Sequence, residues 1–586
     1  MKARLSLSLS AYLRKNLSCL LLTVPFASNG QTCSLANLNI DDTYTLDYGY
    51  DAFGWGSTAI NTDADGIADD GFVIVGETFI NSTLKRQGLI VRLNPDLTDS
   101  SPGWVVTYGS NGNDVLYAVR QAPNGNIVVC GTKETTQYTQ DGSNDAWFME
   151  LSLSSGTIVG ERVYGGSGNE DAFDIEVDTY PDPDQYVIAG GTGRYQDGVF
   201  DEFDNPPTNA EPEIDNKGEY WLFAIDPTDD ADDYNIIWQA IFDGDNTITN
   251  AKDWATGLII DDDQRYVIAG RCVSCDDNTA MMQAMLVKTE NDGDELWKDH
   301  FGDATNLNNA RDQMAFDVIQ TDFTTNTYLA VGISHPGQFC LIHDHDFYGL
   351  KVSGTGINIW SSNCVLHLDE GKGYGGDEDD NAYSAVRVAC GDGGYLIVGS
   401  TGSPSGNDDV TCNFDTSEPF TTEIWLLKVS STGAIEWDQS LGGSQNDAGY
   451  SIEAVWDGSY IITGALGTSA NSHDLVVFKI SLDECEEEKL SYNGQSFSSQ
   501  RLSVYPNPSN GLFEVELQLE NQFSGTGTIE LLTPTGRVVS SSEVNIEDGL
   551  LHQQFAVSDV PSGFYWVRIS TAVQVYQTKL ILELNR

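Results

Sequence analysis

The chain has 586 residues, 40% of them apolar, which is enough for several ordinary domains or for one large closed architecture with a small one attached. That apolar content argues against wholesale disorder. Its 88 acidic residues against 29 basic ones leave a formal charge of -59, which repels a polyanion at every face, so nucleic acid is excluded as a partner.

Lys2, Arg4, Arg14 and Lys15 precede an apolar run over 17–27, too short to span a bilayer stably and followed by small polar residues. This pattern predicts a signal peptide over 1–31. No later stretch approaches the roughly 20 apolar residues of a spanning helix, so no transmembrane segment is expected. Beyond the leader stand nine cysteines, at 33, 130, 272, 275, 340, 364, 390, 412 and 485, in a compartment where disulfides persist. An odd number leaves one unpaired in a monomer.

An apolar strand ending in glycine then recurs seven times, at Gly76, Gly131, Gly190, Gly270, Gly332, Gly399 and Gly464, with spacings of 55 to 80 residues. Upstream of each stands a short polar residue opening another strand: Asp51, Asp114, Asp171, Asp253, Asp312, Asn381 and Asp447. Downstream comes a third strand and usually a fourth with a tryptophan, as at Trp104, Trp238, Trp297, Trp360 and Trp437. Four strands repeated seven times predict a seven-bladed β-propeller over 32–485. The stretches "YGGSGNEDA" (164–172) and "LGGSQNDAG" (441–449) resemble the bacterial β-propeller repeat of secreted proteins, a likeness specific for fold and uninformative about function. A sialidase Asp-box fits poorly, because Asp292 stands directly beside Gly293.

The last repeat ends with its third strand, and an orphan strand at 43–49 precedes the first. Pairing of the orphan with 474–482 would close the ring and remove its open edges. Cys33 and Cys485 flank those two strands and are the expected disulfide lock.

Strand alternation places the Asp/Asn positions and the long insertions (191–219, 271–280, 333–346, 400–422) on one face, which is the expected functional face. There the seven Asp/Asn residues are expected to accept backbone N–H groups at the blade connections, with the lining of a cation or sugar site as the alternative. Tyr195, Phe200 and Phe203 are candidate sugar-stacking residues, with packing of their own loop as the alternative. On the opposite face "NTDADGIADD" (61–70) matches a calcium-loop pattern, with oxygens from Asn61, Asp63 and Asp65, the Ile67 carbonyl, and Asp69 or Asp70. A structural Ca²⁺ stiffening that turn is the expected cofactor. "HDHDF" (343–347) reads as a solvated loop rather than a metal site, and the lone "CVSC" (272–275) as a local disulfide rather than half a zinc site.

No local signature of a nucleophile or an acid/base pair stands out, so no catalytic residue is assigned. The expectation is a glycan- or protein-binding, adhesin-like module; the alternative is a propeller hydrolase or lyase acting on polysaccharide.

After an acidic linker (486–500), the segment 501–586 alternates as a small antiparallel β-sandwich. Tyr505-Pro-Asn-Pro508, Gly511, "TGR" (535–537), "VPSGFYWVRI" (560–569) and Lys579 resemble the type A C-terminal sorting domain of the type IX secretion system of Bacteroidota-like bacteria. The resemblance implies engagement of that translocon and a secreted or outer-surface location.

Overall fold

In the computed structural model, described residues lie within 37–483 and 501–582, apart from loop segments of which the longest include 194–217, 243–252, 335–344 and 361–370. Among the described residues there are seven four-stranded antiparallel sheets and, after them, a three-stranded and a four-stranded sheet. The innermost strands of the seven blades are Ala52–Ala59, Asp114–Gln121, Glu170–Asp178, Trp254–Ile260, Gln313–Asp322, Asp380–Arg387 and Ala448–Ala454. Each touches the next, and the seventh touches the first, so the ring is closed.

Second strands such as Phe72–Phe79 and Tyr395–Thr401 open on an unbroken apolar run because both faces of a blade are covered by neighbouring blades. Val73, Ile74 and Val75 are accordingly fully buried. The orphan strand does close the ring: Leu38–Leu46 runs antiparallel to Ser472–Leu482, with Leu38 opposite Leu482 and Leu46 opposite Leu475. It starts five residues earlier than its sequence pattern suggested, past a bulge at Asp41 that the alternation could not reveal. The ring's two ends meet where the Asp483 N–H donates to the Asn37 carbonyl at 2.9 Å. Cys33 and Cys485 lie outside the described residues.

Fourth-strand tryptophans fasten some blades to the next. The Trp104 indole donates to the Leu153 carbonyl at 3.0 Å, and Trp297 to Gly354 at 2.9 Å, each covering the turn that joins strands three and four of the following blade. Blade five departs from the expected pattern. Its fourth strand is Lys372–Tyr374, and Trp360 lies outside it, buried, with 361–370 intervening.

The C-terminal sandwich packs the sheet of Arg501–Tyr505, Leu512–Gln518 and Leu550–Ala556 against that of Val538–Ile546, Gly525–Leu532, Gly563–Thr571 and Val575–Leu582. Its core contains Val515, Leu517, Ile529, Val567 and Ile569.

Candidate functional site: the axial channel

Every innermost strand is bulged at one common register, where the seven bulged residues are Trp55, Tyr117, Phe173, Thr256, Phe316, Tyr383 and Tyr450. The bulge carries the carbonyl two residues earlier over the second strand, and there stands the recurrent glycine. A Cβ on Gly76 would overlap the Phe53 carbonyl, one on Gly270 the Trp254 carbonyl, one on Gly399 the Asn381 carbonyl, and the other four repeat the clash. The seven glycines read from the sequence are therefore the counterpart of seven bulges.

The bulged residues form a collar around the axis. Ring centroids are 4.2 Å apart for Trp55 and Tyr450, 5.0 Å for Tyr450 and Tyr383, 5.4 Å for Tyr383 and Phe316, 5.1 Å for Tyr117 and Phe173, and 6.3 Å for Tyr117 and Trp55. Blade four interrupts the collar with Thr256, whose hydroxyl donates to the Ala315 carbonyl at 2.9 Å. Trp254 fills in instead, 6.0 Å from Phe173. On the long-loop side, Arg271 stacks over Trp254 at 4.2 Å and Phe53 lies 5.1 Å from His473. Burial raises the Glu77 carboxyl to about 7, although Arg86 at 3.3 Å pulls the other way.

Toward the other face the same strands place charge in the channel. Arg120 bonds Glu176 at 2.7 Å and reaches Asp174 at 3.5 Å; Asp317 takes the Ser384 hydroxyl at 2.9 Å and the Ala385 N–H at 3.0 Å; Glu453 takes the Ala59 N–H at 3.5 Å. These contacts staple neighbouring innermost strands together. Burial works against the Arg120 charge, but Glu176 and Asp174 beside it hold the guanidinium above its ordinary range. Burial likewise raises Asp174 and Asp317, and lifts Glu453 to about 7 against the pull of Arg120.

The Asp/Asn positions read from the sequence turn out to mix three registers. Counting back from the bulge, Asp114, Asp253 and Asp447 are three residues before it, Asp51 and Asp312 four, and Asp171 and Asn381 two. The register three before the bulge holds Ala52, Asp114, Glu170, Asp253, Gln313, Asp380 and Asp447, all buried. The expected role holds for several of them: Asp447 accepts the Gly443 N–H at 2.5 Å and the Gly467 N–H at 2.7 Å, and Asp380 accepts that of Gly376 at 2.7 Å. The register four before is a second ring of clamps, in which Asp51, Asn169, Asp312, Asp379 and Asn446 accept the N–H of His473, Asn144, Met282, His345 and Thr422 at 2.7–3.2 Å. Adjacent acids such as Glu170-Asp171 made these registers indistinguishable by spacing alone.

Of the calcium-loop residues, Asp63, Asp65 and Ile67 lie outside the described residues. Asn61 and Asp70 sit at the two ends of the turn, which the Ile60–Gly71 pairing draws together; Asp70 Oδ2 takes the Thr62 hydroxyl at 2.8 Å, and the Asn61 carbonyl takes Gln121 at 2.7 Å. Asp69 immediately precedes Asp70 in the same turn. Among the described residues no group of three or more His, Cys, Asp or Glu is placed to hold a metal ion. The "HDHDF" run is not gathered into a site where it is described: His345 pairs with Asp379 at 3.2 Å, while Asp346 is buried in a strand. Cys272 and Cys275 are in disulfide contact, with Cα atoms 6.0 Å apart. Tyr195, Phe200 and Phe203 lie outside the described residues.

The C-terminal sandwich has its own counterpart. Residues 503–583 match the secretion system C-terminal sorting domain. The sorting domain marks the chain as one exported through type IX secretion, to the cell surface or the extracellular space. A comparison with curated proteins finds no match. Among solved structures, the chain is similar to an acylaminoacyl peptidase of Pyrococcus horikoshii (12% identity, TM-score 0.34, 80% of this chain and 58% of that one). It is also similar to a Dyadobacter fermentans protein of unknown function (8%, TM-score 0.36, 76% and 100%) and to the β-propeller domain of the trilobed protease from Pyrococcus furiosus (9%, TM-score 0.33, 75% and 94%). The chain thus spans little more than half of the first of these, and scores this low carry no argument about activity.

The collar was missed by reading the sequence for glycines. Its signal is an aromatic three residues after the buried polar position, as in Asp114-Val-Leu-Tyr117, Asp380-Asn-Ala-Tyr383 and Asp447-Ala-Gly-Tyr450.

Proposed function

We propose that this exported propeller is an adhesin-like binding module whose ligand, a glycan or a protein segment, is taken at the long-loop mouth of the axial channel. The observation that carries the reading is the collar: six of its seven positions are aromatic, with Trp254, Arg271, Phe53 and His473 above it. Aromatic faces beside charged groups suit sugar rings and cationic side chains alike. A glycan array probed with the mature chain and with Trp55→Ala tests it; binding that is equal for both proteins removes the collar from the ligand site.

The runner-up is hydrolysis or lysis of polysaccharide, favoured by Glu453, a channel carboxyl able to hold a proton near neutrality. Product analysis on the glycans that bind separates the two, since chain cleavage would replace the binding-module reading. We also propose that the 61–70 turn holds a structural Ca²⁺.

A further inference from the structure

Lys288, Lys351, Lys428 and Lys479 hold one register in the third strands of blades four to seven, opposite Val267, Leu329, Leu396 and Ile461. A lysine buried at that place needs a partner. Lys428 and Lys479 meet Glu436 and Asp457, whose side chains are both 29% exposed, and Lys351 meets the Tyr395 hydroxyl at 2.8 Å. Lys288 differs in being closed off together with its carboxyl partner. Its Nζ lies 2.6 Å from Asp261 Oδ2 and donates to the Tyr328 hydroxyl at 2.6 Å, which itself donates to Asp261 Oδ2 at 2.7 Å; the Lys288 and Asp261 side chains are 3% and 0% exposed. The other carboxyl oxygen, Oδ1, accepts the Asp263 and Arg265 N–H groups at 2.9 and 3.0 Å. The turn that carries Asp261 is pinned to the next blade, since the Asp262 N–H donates to Gln320 Oε1 at 3.1 Å and the Asn326 amide to Asp263 Oδ2 at 2.5 Å.

An amine, a carboxyl, a hydroxyl bridging the two and a pair of N–H donors on the far oxygen are the parts of an acyl condensation, gathered where water has little access. We propose that Lys288 and Asp261 are joined by an intramolecular isopeptide bond, which the folded chain forms by itself with Tyr328 as proton relay. An ion pair shut off from water can neutralise itself by moving one proton from Nζ to Oδ2, leaving an amine and an acid. The Nζ lone pair then attacks Cγ, and the charge that gathers on Oδ1 falls to the Asp263 and Arg265 N–H groups. A second proton passes from Nζ through the Tyr328 hydroxyl to Oδ2, the Cγ–Oδ2 bond breaks, and Oδ2 leaves as water. One N–H remains on the new amide. Ammonium plus carboxylate thus become amide plus water, with no oxidant or co-reactant. Burial and the neighbouring Asp261 charge hold the Tyr328 hydroxyl well above its ordinary range, so it enters the step protonated. Condensation is uphill for free ions in dilute solution, but groups fixed in productive register reach effective concentrations of about 10⁵–10⁸ M, far above that of the water which would reverse the bond. The bond ties the third strand of blade four to the turn between its first and second strands.

Peptide mapping of the mature chain by mass spectrometry, after reduction and alkylation, tests this. The expected result is a branched species, lighter by one water than its two parts, that joins the segment holding Asp261 to the one holding Lys288, with trypsin unable to cut after Lys288. Lys479 and Asp457, paired at 2.8 Å but open to solvent, are expected unlinked. Lys288→Arg keeps the charge and should give two linear peptides, while Tyr328→Phe keeps the ring and should lose most of the crosslink with its circular dichroism unchanged. Complete cleavage after Lys288 in the wild-type chain overturns the proposal, whether or not either variant folds. So does a lost water traced only to another aspartate. A crosslink as complete in Tyr328→Phe as in wild type overturns the relay.

Discussion

Gly160 and Tyr234 hold each other's expected places. Gly160 sits where other blades carry the fourth-strand tryptophan, opposite Glu150, and Tyr234 occupies the turn of the next blade where others carry the glycine beneath it. A Cβ on Gly160 would overlap the Tyr234 ring; where the order is normal, one on Gly293 would crowd the Trp238 ring at 2.8 Å. The large ring stands on the opposite side of the blade interface from its usual place. Its hydroxyl donates to Glu150 at 2.8 Å, and its carbonyl accepts from Tyr164 at 2.6 Å.

The exchange makes the interface a double-mutant test. Tyr234→Ala should cost about 3–5 kcal/mol in denaturant unfolding, as for a buried aromatic, and Gly160→Trp alone should destabilise by overpacking. Gly160→Trp with Tyr234→Gly restores the arrangement of the other blades and should recover much of both losses; additive losses would refute the exchange.

The channel charges should make stability depend on pH at Arg120. Replacing Arg120 by Gln leaves Asp174 and Glu176 facing each other without a cation, at a cost of about 3–5 kcal/mol at pH 8. The cost should shrink at pH 5, because burial raises the Asp174 carboxyl and lets it take a proton there. A loss equal at both values would mean that packing, not charge, is what Arg120 provides.

For the whole ring the sign is set by raised carboxyls. Glu77 and Glu453 are pushed to about 7, and Asp380 and Asp447 to about 6, all chiefly by burial. A carboxyl whose folded pKa lies above its unfolded value binds more protons when folded, so its stabilising effect is full below the unfolded pKa and is lost as pH rises through the folded one. Denaturant midpoints should therefore climb as pH falls from 8 to about 5. A midpoint that falls over that range would contradict the burial of these groups.

The glycines and the orphan strand were legible because each is a local pattern with a fixed period. Gly399 and Leu46 declare themselves in a few residues. The collar and the Arg120 cluster were not, because a bulge changes which side a residue faces without changing its spacing, and because Arg120, Asp317 and Glu453 come together only when the ring closes. The buried acids at the junctions were half legible: carboxylates were expected there, but Asp379-Asp380-Asn381 gives no means of telling which one turns inward.

Calcium added to the mature chain should raise Tm by mass action on the folded state, with the gain largely abolished in the Asp63→Ala, Asp65→Ala variant. If the double mutant responds as wild type does, the ion is held elsewhere.

Removing 497–586 deletes the sorting domain, and the truncated chain should accumulate in the periplasm as a folded propeller, since the two cores are separate. Cell fractionation with limited proteolysis reads both outcomes; the truncated chain in the medium at wild-type level would refute the assignment of export to this domain.

The strand Ser472–Leu482 is held on one edge by Leu38–Leu46 and on the other by Tyr460–Ser469, and it is the last strand before the C-terminal domain in the sequence. Any mechanical load applied through that tail enters the propeller on a strand with two bonded neighbours. To open the disc it has to break two backbone ladders together, whereas a terminal strand at a free edge could be unzipped one bond at a time. Because the partner on one side comes from the beginning of the chain, the clasp can form only after the whole ring has been made, and a chain cut short before Ser472 has nothing for its first strand to grip.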